Sequence, residues 1–142
     1  LISLLVMIGI MLWYGFWSDW RVVALPLFLL LACLPAVGAG LWFSALNVRY
    51  RDFRYLVPFI LQLGLYVSPV GFSSSIVPEQ WRLLYALNPM VGVIDGFRWA
   101  LLRGATELYW PGILLSTALS LLLLFSGLWY FRKTERVLAD VI

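Results

Sequence analysis

Residues 1–18, 22–48, 55–78 and 108–131 contain no Asp, Glu, Lys or Arg. Runs that long and that free of charge fit poorly inside one small soluble core. A helix needs about 17–25 predominantly apolar residues to cross a bilayer, and each run supplies them. A fifth stretch, 83–94, is too short to cross and predicts a re-entrant or interfacial element. Across 142 residues the chain is 63% hydrophobic and 12% charged. Soluble domains carry about 25% charged residues. The expected fold is therefore all-α and membrane-integral. Trimmed at their polar joints, the spans fall at about 1–18, 22–46, 55–72 and 108–131. A re-entrant helical hairpin at about 78–103 separates the third span from the fourth.

Residue types exclude several chemistries. Histidine is absent and Cys33 is the single cysteine, so intrachain disulfides and His- or Cys-rich metal sites are ruled out. No cofactor is expected. Leu30-Leu31-Ala32-Cys33 resembles a lipoprotein processing site, but the apolar run continues through Phe43, so Cys33 reads as a packing residue. The chain opens at Leu1 inside an apolar run with no basic region before it. That favours a piece lacking its N-terminal part over a signal peptide.

Charge placement orients the spans. The loop from Asn47 to Arg54 carries Arg49, Arg51 and Arg54 against Asp52. The tail after Phe131 carries Arg132, Lys133 and Arg136 against Glu135 and Asp140. The other joints are balanced: Arg21, Arg82, Arg98 and Arg103 against Asp19, Glu79, Asp95 and Glu107. By the positive-inside rule the 47–54 loop and the C-terminal tail are cytoplasmic. The spans then run outward, inward, outward and inward. Aromatic residues gather at the expected boundaries: Trp13, Tyr14, Trp17 and Trp20, then Trp42, Tyr50 and Tyr55, then Tyr109 and Trp110, then Trp129, Tyr130 and Phe131. Their rings combine an apolar body with a polar handle and suit the headgroup region.

Within the second span Ala32, Ala36, Gly40 and Ser44 recur every fourth residue and share one helix face. The stripe reads as an internal packing face in preference to a dimer seam. Pro35 is expected to kink the helix. Gln62, in the middle of the third span, is expected to hydrogen-bond to a neighbouring helix.

Chemistry concentrates between the third and fourth spans. Pro69 and Ser73-Ser74-Ser75 end the third span early. Val77-Pro78-Glu79-Gln80 reads as a helix start, giving a short helix over Trp81–Leu87. Asn88-Pro89 breaks it, because proline disfavours a helical residue before it, and a second helix follows over Met90–Arg103. Asp95 and Arg98 lie three apart on that helix and face each other. They form either a solvated interfacial pair or part of a gate, since charges at membrane depth face protein or water.

These residues also carry a resemblance. Ala45-Leu46-Asn47-Val48-Arg49-Tyr50-Arg51-Asp52-Phe53-Arg54-Tyr55 looks like the inner loop of ABC-2-type transport permeases that export polysaccharides such as O-antigen, capsule and teichoic acid. Ile76-Val77-Pro78-Glu79, Leu87-Asn88-Pro89-Met90 and Gly96-Phe97-Arg98-Trp99-Ala100 are similar to the external re-entrant segment of that family. The ending from Tyr130 to Ile142 resembles its C-terminus. The resemblance implies a six-span permease of which this chain holds the last four spans and the re-entrant pair. It implies a second permease copy, two separate ATP-binding-cassette ATPase subunits, a membrane lipid environment and a glycan substrate, with no nucleic-acid partner. The sequence has no G-x-x-x-x-G-K-[ST] pattern, so ATP hydrolysis is expected on another chain and the permease is not itself an enzyme. Tyr66, Phe72, Trp81 and Tyr85 fall where the resemblance puts the outer mouth and are candidate path-lining residues, with interface anchoring as the competing role. Asn88, Pro89, Asp95 and Arg98 are the candidate re-entrant gate. A drug or lipid efflux permease shares the same membrane physics, and a non-transport four-span scaffold is the alternative of another class.

The topology predicts a labelling pattern in spheroplasts. Arg51→Cys and Thr134→Cys should resist an impermeant thiol reagent added outside, while Glu79→Cys should react. External labelling of Arg51→Cys would invert the orientation.

Overall fold

A computed structural model describes residues 2–15, 19–104 and 108–139. Every regular element among them is helical. In order they are α1 (Ile2–Trp13), a 3₁₀ turn (Trp20–Ala24) leading into α2 (Leu25–Arg49), α3 (Phe53–Val67), a 3₁₀ turn (Ser74–Ile76), α4 (Glu79–Tyr85), α5 (Pro89–Leu101) and α6 (Trp110–Ala139). Two helical stretches, Trp20–Arg49 and Trp110–Glu135, are long and apolar enough to cross a membrane. The expectations resting on Trp17, Ser18, Glu107, Asp140, Val141 and Ile142 lie outside the described residues.

Local chemistry sets the helix ends. The Asp19 carboxylate accepts from the Trp20 backbone N–H at 2.8 Å and opens the long second helix. At the end of α1, Gly15 adopts φ +65° and stops the helix after 12 residues, about 18 Å. The third apolar run is helical only to Val67. Ser68 turns to extended backbone, its hydroxyl and N–H both reaching the Gly64 carbonyl, at 2.8 and 3.0 Å, and Pro69 has no N–H to continue the ladder. At 15 residues, α3 is about 22 Å long, short of a hydrocarbon core of about 30 Å. The two short helices expected from sequence are present, each starting one or two residues earlier than predicted.

The core of the chain is the α2–α6 pair. A Cβ on Gly38 would come within 2.7 Å of the Leu123 backbone, and one on Gly127 within 2.6 Å of the Gly38 carbonyl oxygen. The two backbones therefore touch directly, as small residues permit where lipid supplies no hydrophobic drive. Further along, Trp42 donates from Nε1 to Ser126 Oγ at 3.1 Å and stacks on Tyr130 with ring centroids 4.4 Å apart. Gly38 meets Leu123–Gly127 and Trp42 meets Ser126–Tyr130, so the helices run parallel. Arg49 and the pair Arg132 and Lys133 consequently lie toward the same end of the bundle.

The expected stripe on α2 faces elsewhere. Ala36, Gly40 and Ser44 are exposed, and a Cβ on Gly40 would meet nothing within 4 Å. Packing uses Phe28, Pro35, Gly38 and Ala45 instead, a register one face away. Cys33 is exposed as well. The Gln62 side chain is exposed on α3 and makes no hydrogen bond with any described residue. Among the described residues, none of α3 is buried. Trp13, Trp20, Trp110 and Trp129 are all exposed, as belt residues should be.

The α2–α6 contact makes a paired prediction. Gly38→Ala should destabilise by about 1–3 kcal/mol, because two backbones must separate to admit the methyl. Gly40→Ala should be neutral or stabilising by up to about 1 kcal/mol, because it only improves helix propensity. Thermal unfolding in detergent compares them, and equal effects would contradict the packing described.

Candidate functional site

Three side chains of the α4–α5 pair converge on residues 67–69, where α3 ends. Tyr85 Oη donates to the Val67 carbonyl, Asn88 Nδ2 to Ser68 Oγ, and Arg98 Nη2 to the Pro69 carbonyl, each at 2.9 Å. The last carbonyls of a helix lack intrahelical partners, and irregular backbone in an apolar setting must find others. Tyr85 and Arg98, on the two short helices, meet that need at Val67 and Pro69, and Asn88 between them holds the Ser68 hydroxyl.

Asn88 works in two directions. Its Oδ1 accepts from the Met90 N–H at 3.0 Å, capping α5, while its amide nitrogen holds Ser68. Pro89 occupies the first helical position, where its missing N–H costs nothing. At its other end α5 closes through Arg103 and Gly104, at φ +53° and +74°, with the Gly104 N–H donating to the Trp99 carbonyl at 3.0 Å. Arg21 lies over the Trp99 ring at 5.0 Å and fills the space where a Gly104 side chain would stand.

Asp95 and Arg98 do pair, with Oδ1 and Nη1 3.7 Å apart and both side chains about four-fifths buried, at 19% and 20% exposure. That separation exceeds hydrogen-bond length, and Arg98 Nη1 is a buried nitrogen with no hydrogen-bond partner among the described residues. Burial pushes the Asp95 carboxyl above its usual range. The Ser74 hydroxyl, as a hydrogen-bond donor, and then the Arg98 and Arg82 guanidiniums pull it back down. Loss of hydration and the Asp95 charge likewise raise the Tyr85 phenol, against Arg98. Asp95 is thus set between two cations on different helices.

A residue the sequence reading missed seats the pair. Ser116 on α6 is fully buried. Its hydroxyl accepts from the Gly92 N–H at 3.2 Å and donates to the Ala86 carbonyl at 3.2 Å. It therefore bridges the end of α4 and the start of α5 across the Asn88-Pro89 break. A Cβ on Gly92 would lie 2.8 Å from Ser116 Cβ, and one on Gly96 would enter the Phe28 ring, so glycines let α5 sit on α6 and α2. The available signal was Ser116 and Ser120, four apart on one face of a mostly apolar run.

The remaining candidates are more dispersed. Phe72 and Tyr85 rings meet at 6.3 Å. Tyr66 on α3 and Trp81 on α4 are exposed, at 73% and 54%, and make no ring contact with any described residue. At the opposite end, Arg49 lies over Tyr50 at 5.8 Å and Arg54 over Tyr55 at 4.9 Å. Arg51 is exposed in the turn, and Asp52 precedes α3 without a side-chain cap bond. Among the described residues no cluster of His, Cys, Asp and Glu could hold a metal.

A model of the ABC-2 type transporter family matches residues 1–102, from α1 through α5. The chain belongs to that family. It is 29% identical over 99 residues to an O-antigen export system permease protein of Myxococcus xanthus, covering 68% of this chain and 38% of the relative. With an O-antigen export system permease protein of Klebsiella pneumoniae it shares 25% over 118 residues, 83% of this chain and 45% of the relative. An inner membrane transport permease of Escherichia coli K12 is 34% identical over 84 residues, 59% of this chain and 32% of the relative. The chain spans less than half the length of these curated relatives. Family membership and the long apolar helices mark it as part of an integral membrane protein of the ABC-2 type transporter family.

The two roles of Asn88 separate by substitution. Asn88→Ala removes the cap and the Ser68 bond and should cost about 0.5–2 kcal/mol or more. Asn88→Asp keeps an acceptor for Met90 but loses the donor to Ser68, and should fall between Asn88→Ala and wild type. Thermal unfolding in detergent measures the order. Asn88→Asp matching Asn88→Ala would remove the cap from the account.

Proposed function

We propose that this chain is part of the permease subunit of an ATP-binding-cassette exporter that moves polysaccharide or lipid-linked glycan across the inner membrane. The observation that carries this reading is the match to O-antigen export permeases over as much as 83% of the chain, through the α4–α5 pair. A glycan is polar but presents apolar C–H faces, and aromatic rings with hydroxyls suit its passage. Tyr66, Phe72, Trp81 and Tyr85 are the proposed lining of the outer mouth.

In this reading α2 and α6 cross the membrane over their full length, and α4–α5 is a re-entrant hairpin on the outer side. The helices α1 and α3 are the helical parts of two further crossings longer than the helices themselves. The parallel run of α2 and α6 supports it, because two inward spans require an outward one between them. The basic residues at the far end from the hairpin support a cytoplasmic loop and tail. A second copy completes the pathway, and a separate ATPase subunit supplies the energy. Nothing in this sequence resembles a phosphate-binding loop.

The hairpin is the proposed gate. Arg98, Asn88 and Tyr85 tie it to the end of α3, with Asp95 paired to Arg98, so that α3 and the hairpin move together or not at all. Removing one partner of a buried ion pair strands the other, at roughly 3–5 kcal/mol, against about 0–1 kcal/mol for an exposed pair. In the working exporter, Asp95→Ala should lower surface glycan or make the resting membrane leaky to small solutes. Arg98→Ala should do more harm, since it also releases the Pro69 carbonyl. The swap Asp95→Arg with Arg98→Asp should recover only part of the loss, because it restores the pair but not that bond. Wild-type export and tightness in both single variants, at matched protein levels, would remove the gate.

A further inference from the structure

Beneath the Asn88-Pro89 break, between α4, α5 and the start of α6, lies a cavity of about 20 Å³. Five polar residues line it: Ser74, Arg82, Tyr85, Asp95 and Tyr109. A water needs about 10–15 Å³ of such space and two to four polar partners. The cavity offers both, and it is too small for anything larger.

Its chemistry selects a neutral occupant. Asp95 has most of its surface buried, and a carboxylate presents about four acceptor sites. Among the described residues it receives the Ser74 hydroxyl and faces Arg98 at 3.7 Å, too far for a hydrogen bond. A buried charge left so thinly bonded is costly. A second cation is disfavoured by Arg82 and Arg98, and an anion by Asp95. A molecule that both donates and accepts satisfies the site without adding charge.

We propose that this cavity is a binding site for a single water molecule, which donates to Asp95 and accepts from Arg82. The water joins α4, which carries Arg82, to α5, which carries Asp95. It does from the outer side of the break what Ser116 does from the α6 side. The site is defined by its own geometry and is independent of what the protein carries.

Hydroxyl-radical footprinting with X-ray pulses tests it, because a water held against a tyrosine becomes a radical in place. The protein is reconstituted in lipid nanodiscs and the rate of ring oxidation is read for each tyrosine. Tyr85 and Tyr109, both half-buried, should oxidise as fast as Tyr50, which is 55% exposed at the other end. Rates that simply follow exposure would overturn the proposal, whatever any variant does. Val91, 5% exposed, also lines the cavity, and Val91→Ile adds one methylene in the place of the water. Val91→Ile should slow Tyr85 and Tyr109 severalfold and leave Tyr50 unchanged, with stacked Tyr130 reporting that the fold is intact. Unchanged rates at Tyr85 and Tyr109 in folded Val91→Ile would show the cavity to be dry.

Discussion

The direct contact of two backbones at Gly38 and Gly127 governs the rest of this structure. It fixes α2 and α6 in parallel at one depth relative to each other. Everything else is placed by that register. Phe28 on α2 and Ser116 on α6 then stand side by side at one end, and the glycines of α5 settle onto them. Trp42 and Tyr130 stack toward the other end, near the basic residues. In lipid, apolar side chains gain nothing from meeting each other instead of acyl chains, so close approach and a few hydroxyl bonds must do this work. Trp42 to Ser126 and Ser116 to Gly92 and Ala86 are those bonds.

The α4–α5 pair follows from the need to satisfy backbone groups where helix is interrupted. Between Val67 and Pro89 the chain is largely turns, extended backbone and short helices. Each exposed carbonyl or N–H there would be a liability away from water. Tyr85, Asn88 and Arg98 cover the end of α3, and Ser116 covers the break itself. Tyr85, Asn88 and Arg98 are also candidates for function. In the proposed gate, one network would serve both structural satisfaction and gating.

Much of this was legible in the sequence. Charge-free runs gave the helices, and Asn88-Pro89 gave the break between α4 and α5, because proline geometry is local. The pairing of Asp95 with Arg98 followed from helical spacing. The register of α2 was not legible: Ala32, Ala36, Gly40 and Ser44 form a regular stripe, yet Gly38 is the residue in contact. Both faces of that helix carry small residues, and only the partner decides between them. Ser116 was missed because its spacing from Ser120 marks a shared helix face without showing what that face meets. The end of α3 at Val67 was anticipated in kind from Pro69, though the stop came several residues before the expected boundary.

The third helix is suspended rather than packed. One end is held by the Phe43–Phe53 ring contact at 6.0 Å and the other by the bonds from Tyr85, Asn88 and Arg98. Between those anchors none of its residues is buried by the described chain. A beam fixed at both ends and unsupported in the middle resists stretching but bows sideways at little cost. Lateral displacement of its middle would break no bond that the described residues make, and would be felt first as a torque on the ties at Ser68.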